Sequence, residues 1–207
     1  MLKDIKNSII LSIGAGVMIG IGGTVNLVLG AQGKGVEGAI FFAVALLTIC
    51  YLGLHLFTGR VGNIVNSEKF SKDLLLLGTC IIGNLIGTAA AGLVCGESTP
   101  AIIETAQNMC AAKLDRAFVS TVASAFMCGI LMYVAVTIYK EKSSIAGILF
   151  CVPVFILSGY EHSIADMFYF FAAGAVGTDM AVFILTVVLG NALGGMFVPT
   201  LRKLASE

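Results

Sequence analysis

The chain has 207 residues, 58% of them hydrophobic and 12% charged, with a mean hydropathy of +1.00. Soluble domains carry about 25% charged residues and lack repeated apolar runs long enough to cross a bilayer, so the composition excludes an ordinary soluble domain and marks an integral membrane protein. Twelve basic and twelve acidic residues cancel, which argues against a nucleic-acid partner, and no basic amphipathic segment signals recognition of anionic lipid.

A helix needs about 20 mostly apolar residues to cross roughly 30 Å of hydrocarbon. In chain order, runs of that size cover 8–29, 38–57, 74–95 and 117–139. The first is too long and too lightly flanked for a cleaved signal peptide. The region 144–175 follows, too long for one simple span and interrupted by "GYEHSIADMF" from Gly159 to Phe168, and we read it as a span broken in two. A last run, 178–199, completes six spans in an all-α membrane protein. Lys3, Lys6, Arg60, Lys69, Lys72, Lys140, Lys142, Arg202 and Lys203 fall on one side of this arrangement, against only Lys34, Lys113 and Arg116 on the other. The positive-inside rule then places both termini in the cytoplasm of a multi-pass protein of the cell membrane.

The spans repeat. "GNLIG" from Gly83 returns as "GNALG" from Gly190, 107 residues later, and the same offset carries His55 onto His162 and Gly22 onto Gly129. This predicts one transmembrane domain over 1–207 built from two three-span halves, about 1–107 and 108–207. An odd number of spans per half makes the repeat inverted, and such folds place the permeation site where broken helices meet near the midplane. The expected breaks are Gly53 to Gly59 and Ser158 to His162, with "TGRVGNIVN" from Thr58 returning to the cytoplasmic face. Irregular backbone at membrane depth is tolerated only inside protein or along a cavity. Most of the 25 glycines need no role beyond close helix packing.

An intramembrane histidine is a functional candidate, and its ordinary pKa of about 6.5 lets its surroundings switch its charge. His162 either faces the path or hydrogen-bonds the broken backbone; His55 has more alternatives, facing the bundle, another subunit or the cytoplasmic vestibule. Glu161 adjoins His162, points to another face and is read as a cap or tether for the half-helix. Asp166, four residues on, is assigned a hydrogen-bonding role, because a carboxylate lining an anion path repels its substrate. Thr58 offers a hydroxyl that holds an anion weakly enough to release it, or caps a helix. Phe42, Leu46, Leu56 and Phe155 are candidates for apolar constrictions, or for plain packing. Asn84 and Asn191, the polar members of the repeated motif, and Gly129 are assigned supporting places. Cys50, Cys80, Cys128 and Cys151 fall inside spans. Cys95 and Cys110 flank the outside loop, where pairing is open. No CxxC or Cys/His spacing suggests a metal site, and no cofactor is expected.

"FILSGYEHSIADMF" from Phe155, "HLFTG" from His55 and the paired "GNLIG" and "GNALG" resemble the formate/nitrite transporter family across essentially the whole chain. The resemblance implies a homopentamer of aquaporin-like protomers, each with its own pore, moving small monovalent weak-acid anions such as formate, nitrite or hydrosulfide. It implies that Thr58 and His162 are the family's threonine and central histidine in the two broken helices. Phe42 and Leu46 would line one constriction, Leu56 and Phe155 the other. Two positions depart: Gly129 and Asp166 stand where family members often carry asparagine. The expected mechanism is passive or proton-coupled. Vestibule charge draws the anion in, His162 protonates it transiently, and the neutral acid passes the apolar rings. A hydrosulfide channel is the alternative within the family. An aquaporin-like neutral-solute channel is more remote, since the chain has no Asn-Pro dipeptide. An enzyme lacks a second catalytic group, because Ser163, next to His162, faces elsewhere on a helix.

Overall fold

In the computed structural model, which describes residues 1–206, the described residues form helices and no strands. In order they are α1 (Leu2–Ala31), α2 (Gly35–Tyr51), α3 (Phe57–Arg60), a 3-10 turn (Val61–Asn66), α4 (Phe70–Ser98), α5 (Ala101–Leu114), α6 (Phe118–Lys142), α7 (Ala146–Leu157), α8 (Ser163–Ala172) and α9 (Thr178–Leu204). Four of them, α1, α4, α6 and α9, are long and apolar enough to cross a membrane. They turn Ile10, Ile21, Ile82, Ile86, Val182, Leu185 and Leu189 outward, all exposed. An apolar belt of this kind suits lipid, where it carries no hydration cost.

Because lipid is as apolar as leucine, such helices associate by backbone approach at small residues. Gly16 of α1 lies against the Asn84 carbonyl and Gly87 of α4, and Gly83 packs on Ser12 and the Ile9 carbonyl. In the same way Gly129 of α6 lies against the Asn191 carbonyl and Gly195, and Gly190 and Gly194 of α9 press on Ala125 and Phe126. A Cβ at any of these glycines would collide with its neighbour. The contacts therefore match Gly129 with Gly16, not with Gly22, which packs instead on Phe42 and Ala45 of α2. The constant offset of 107 fails here because the first half runs 37 residues from Gly16 to Gly53 and the second only 30 from Gly129 to Gly159, a difference that lies mainly in α2, with 17 residues against 12 in α7.

Helix α2 ends at Tyr51 and α7 at Leu157, with Leu52 and Ser158 as their C-caps. Each closes on a glycine in the left-handed region, Gly53 at φ 64° and Gly159 at φ 65°. The following amides fold back, Leu54 N–H to the Ile49 carbonyl at 2.9 Å and Tyr160 N–H to the Phe155 carbonyl at 2.9 Å. Glycine takes this conformation without a Cβ penalty. The non-helical residues are 52–56 and 158–162. The first break is thus shorter than its expected reach to Gly59, and Thr58 and Gly59 already lie in α3.

The segment between α4 and α6, expected as a loop, contains α5. Ile102, Ala106 and Cys110 are buried along one of its faces at helical spacing, and α5 packs on α8 and α1. All six cysteines are free, Cys95 and Cys110 included.

Candidate permeation site

Two buried asparagines hold the two breaks by the same three hydrogen bonds. Asn84 accepts from Phe57 N–H at 3.0 Å and donates to the Ser12 and His55 carbonyls at 2.8 and 2.9 Å. Asn191 accepts from Ser163 N–H and donates to the Ala125 and Glu161 carbonyls, each at 2.8 Å. A primary amide supplies both an acceptor and two donors, so one side chain ties a broken strand of backbone to two helices. The bonds match Phe57 with Ser163 and His55 with Glu161. Leu56 therefore corresponds to His162, and the expected match of His55 with His162 is off by one residue.

Leu56 stands at the N-cap of α3 without a side-chain cap bond, so Thr58 does not use its hydroxyl as a cap. His162 stands at the N-cap of α8 and does cap it, Nδ1 accepting from Ala165 N–H at 3.1 Å. An amide always donates, so Nδ1 is unprotonated and the ring proton sits on Nε2. Nε2 lies 2.9 Å from Thr58 Oγ1 and donates to it, leaving the threonine hydroxyl proton for another acceptor. Both side chains are buried, Thr58 at 0% exposure and His162 at 2%.

Phe155 stacks on His162 with ring centroids 5.4 Å apart, and Phe42 meets Phe155 edge-on at 6.0 Å. Leu46 and Leu56, with His55, line a separate cavity of about 220 Å³ that also takes in Arg60 and Lys140. Of the four residues expected at constrictions, Phe42 thus meets Phe155, and Leu46 and Leu56 share the lining of one cavity. Phe42 and Leu46 share a face of α2 but sit one turn apart, about 6 Å along its axis. His55 Nδ1 is buried without a partner.

The cavity beside His162 holds about 240 Å³ and is lined by Phe155, Asp166, Tyr169 and Asn26, among others, with Lys113 and Arg116 at its wall. Lys113 Nζ bridges Glu161 Oε2 and Asp166 Oδ1, the latter at 2.9 Å. Arg116 donates to Glu161 Oε1 at 2.8 Å, to the Gly159 carbonyl at 3.1 Å and to Ser124 Oγ at 3.0 Å. Burial works against the Lys113 charge, but the Asp166 and Glu161 carboxylates outweigh it and hold its ammonium above the ordinary lysine range. Glu161 is therefore a tether to α5 and to the turn after it, and the cap of α8 is His162.

Lys113, Arg116, Arg60 and Lys140 counted in the sequence only as markers of sidedness. Lys113 continues the buried face of α5, three residues after Cys110, so helical spacing was the available signal. Nothing in the sequence pointed to Ser124, whose hydroxyl oxygen accepts from Arg116 at 3.0 Å and from Glu161 N–H at 3.2 Å, or to Asn26, which donates to Tyr169 OH at 3.0 Å. Gly129 lies away from the cavities, in the α6–α9 contact.

The family model described as "Formate/nitrite transporter" matches residues 1–204. An uncharacterized transporter of Bacillus subtilis strain 168, YrhG, is 29% identical over 176 residues, 76% of this chain and 66% of that protein. The chain thus spans just under two thirds of that relative's length. The formate channel FocB of Escherichia coli K12 is 25% identical over 234 residues, covering 90% of this chain and 82% of its own. Among solved structures, an FNT family ion channel superposes with a TM-score of 0.86 at 21% identity, over 99% of this chain and 97% of that one. A pentameric formate channel with formate bound gives 0.81 at 23% identity, over 99% and 98%. At these identities the superpositions establish the fold.

Proposed function

The chain belongs to the formate/nitrite transporter family, a family of transporters rather than enzymes, and from that premise we propose that it carries small monovalent weak-acid anions, formate or nitrite, across the cell membrane. The observation that carries this reading is the His162–Thr58 hydrogen bond, buried beside aromatic rings, with a cation-bearing cavity at His162 and another at Leu56. Six spans are proposed: α1, α4, α6 and α9, with α2–α3 and α7–α8 as two broken spans of an inverted repeat. Both termini are cytoplasmic, and the working unit is a homopentamer with one path per protomer, by likeness to the pentameric formate channel.

The chemistry follows from what a small anion meets. Arg60 and Lys140, in a cavity whose lining includes no carboxylate, raise its local concentration. Bare charge then faces Leu46, Leu56, Phe42 and Phe155, where desolvation is costly. The Thr58 hydroxyl and the Nε2–H of His162 are the donors available there. Moving the Nε2 proton to the anion leaves no imidazolate if Nδ1 at the same time takes up a proton delivered through water from the solution on the entry side. That uptake costs the cap from Ala165 N–H, so the ring returns to its capped tautomer after each passage. The neutral acid crosses the rings and releases its proton beyond them. Flux therefore rises as pH falls.

Liposomes containing the purified protein test the reading. Formate, nitrite and hydrosulfide uptake above that of protein-free vesicles, increasing toward low pH, is expected. Equal passage of glycerol, with no flux of the three anions, would replace it with a neutral-solute channel.

A further inference from the structure

The two mouths of the path differ at one matched position. The bonds of Asn84 and Asn191 pair His55 of the first break with Glu161 of the second. Glu161 is where the outer cations are met, since Lys113 and Arg116 both bond its carboxylate. Its counterpart in the inner half is an imidazole. Arg60 and Lys140 therefore share a cavity of about 220 Å³ with His55, Asn63 and Tyr139 and with no carboxylate. Both cations also border neighbouring cavities, Arg60 that of Asp73 and Lys140 that of Glu141, but Asp73 accepts from Ser67 and Glu141 pairs with Arg202. Neither Arg60 nor Lys140 forms an ion pair among the described residues. His55 Nδ1 is buried without a partner, so the ring keeps a hydrogen-bonding group to offer a ligand.

Two unpaired cations in one carboxylate-free space repel each other, and a bound monoanion leaves one charge over. A dianion cancels both. We propose that the inner cavity is a binding site for a doubly charged oxyanion such as sulfate or hydrogenphosphate, held by Arg60 and Lys140 with His55, Asn63 and Tyr139 as further hydrogen-bond partners. A guanidinium fork suits two oxygens of such a group, and a lysine ammonium adds a point charge. The cavity has room for a tetrahedral oxyanion and a few waters. Resting on the transport reading above, the site adds regulation to it, because a dianion is held but not carried. One proton from His162 leaves it still charged among Leu46, Leu56, Phe42 and Phe155, where desolvation is costly. It therefore occupies the inner mouth and slows flux in either direction, from the cytoplasmic side only. The outer cavity offers no such site, since Glu161 and Asp166 already neutralise Lys113 and Arg116 there.

The test is inhibition from one side. The full-length protein in phosphatidylethanolamine and phosphatidylglycerol liposomes is given labelled formate, with millimolar sulfate outside, inside or on both sides and gluconate matching the ionic strength elsewhere. Whatever the mixture of orientations, the shares of flux removed by sulfate on each side alone are expected to add up to the share removed from both together. Labelled sulfate itself enters no faster than into protein-free vesicles. His55→Glu puts a carboxylate at the position matched with Glu161. The sulfate concentration for half inhibition, read against each variant's own uninhibited rate, then rises about tenfold or more, while His55→Gln stays within about twofold of wild type. Should His55→Glu fail to assemble, Arg60→Gln removes one of the two charges and gives a similar rise. Sulfate acting no more strongly than gluconate, near-complete inhibition from either side alone, or uptake of sulfate overturns the inference while leaving transport intact. Wild-type sulfate sensitivity in His55→Glu or Arg60→Gln overturns the placing of the site in this cavity. Absence of formate, nitrite and hydrosulfide flux in wild type overturns the transport reading itself.

Discussion

Asn191→Leu removes the side chain that ties down the His162 break while keeping its approximate volume. Three backbone groups lose their partners: Ser163 N–H and the Ala125 and Glu161 carbonyls, all now bonded at 2.8 Å. Asn191 is fully buried at 0% exposure, so little water reaches the site. Leaving a buried backbone group unsatisfied costs about 1–3 kcal/mol, whereas polar contacts between membrane helices average about 0.6 kcal/mol. Three groups at about 1 kcal/mol each give a loss of about 3 kcal/mol. For a chain of this size that lowers Tm by about 6–12 °C. Thermal unfolding of the purified protein in detergent reads it. Because Glu161 and Ser163 flank His162, formate flux at permissive temperature falls as well. Asn84→Leu, which strips Phe57 N–H and the Ser12 and His55 carbonyls, gives a similar shift. A change below about 2 °C with flux intact in both variants would refute the assignment of the breaks to these amides.

Thr58→Val keeps the shape and removes the acceptor of His162 Nε2–H; flux is expected to drop at least tenfold, with Thr58→Ser near wild type, measured as liposome uptake. Arg60→Ala with Lys140→Ala empties the carboxylate-free cavity of charge. At about 0.5 kcal/mol or more per cation, KM for the anion rises about five- to tenfold with kcat little changed, and uptake loses most of its sensitivity to ionic strength.

The long apolar runs were legible because hydropathy over about 20 residues is a local property. Their ends were not: α1 and α4 extend past the apolar stretches at both ends, into residues that are mostly exposed and carry no apolar pattern. The turn at Gly159 could be read from glycine among polar residues, and the one at Gly53 only from glycine close to His55 in an otherwise apolar stretch. The start of α3 could not, since Leu56 supplies no capping side chain and Asn84 holds the turn from 27 residues away. Motif identity found Asn84 and Asn191 but fixed neither what they bind nor the register between halves, because α2 and α7 differ in length. The cluster of Lys113 with Glu161 and Asp166 stayed hidden for a related reason. Its members belong to α5 and to the approach and first turn of α8, and no local pattern brings together groups 48 residues apart. Glu161 was read as a tether without a partner, and the structure supplies Lys113 and Arg116.

The central claim is that His162 passes a proton to the permeating anion. His162→Asn tests it most directly, because the asparagine oxygen still caps Ala165 N–H while no titratable group remains. Initial formate uptake into liposomes is measured from pH 5 to 8, with the variant's assembly checked against wild type. A fall of about a hundredfold, the usual scale for loss of a proton-transfer group, with a flattened pH profile, is expected. A wild-type rate with a wild-type pH profile would contradict it.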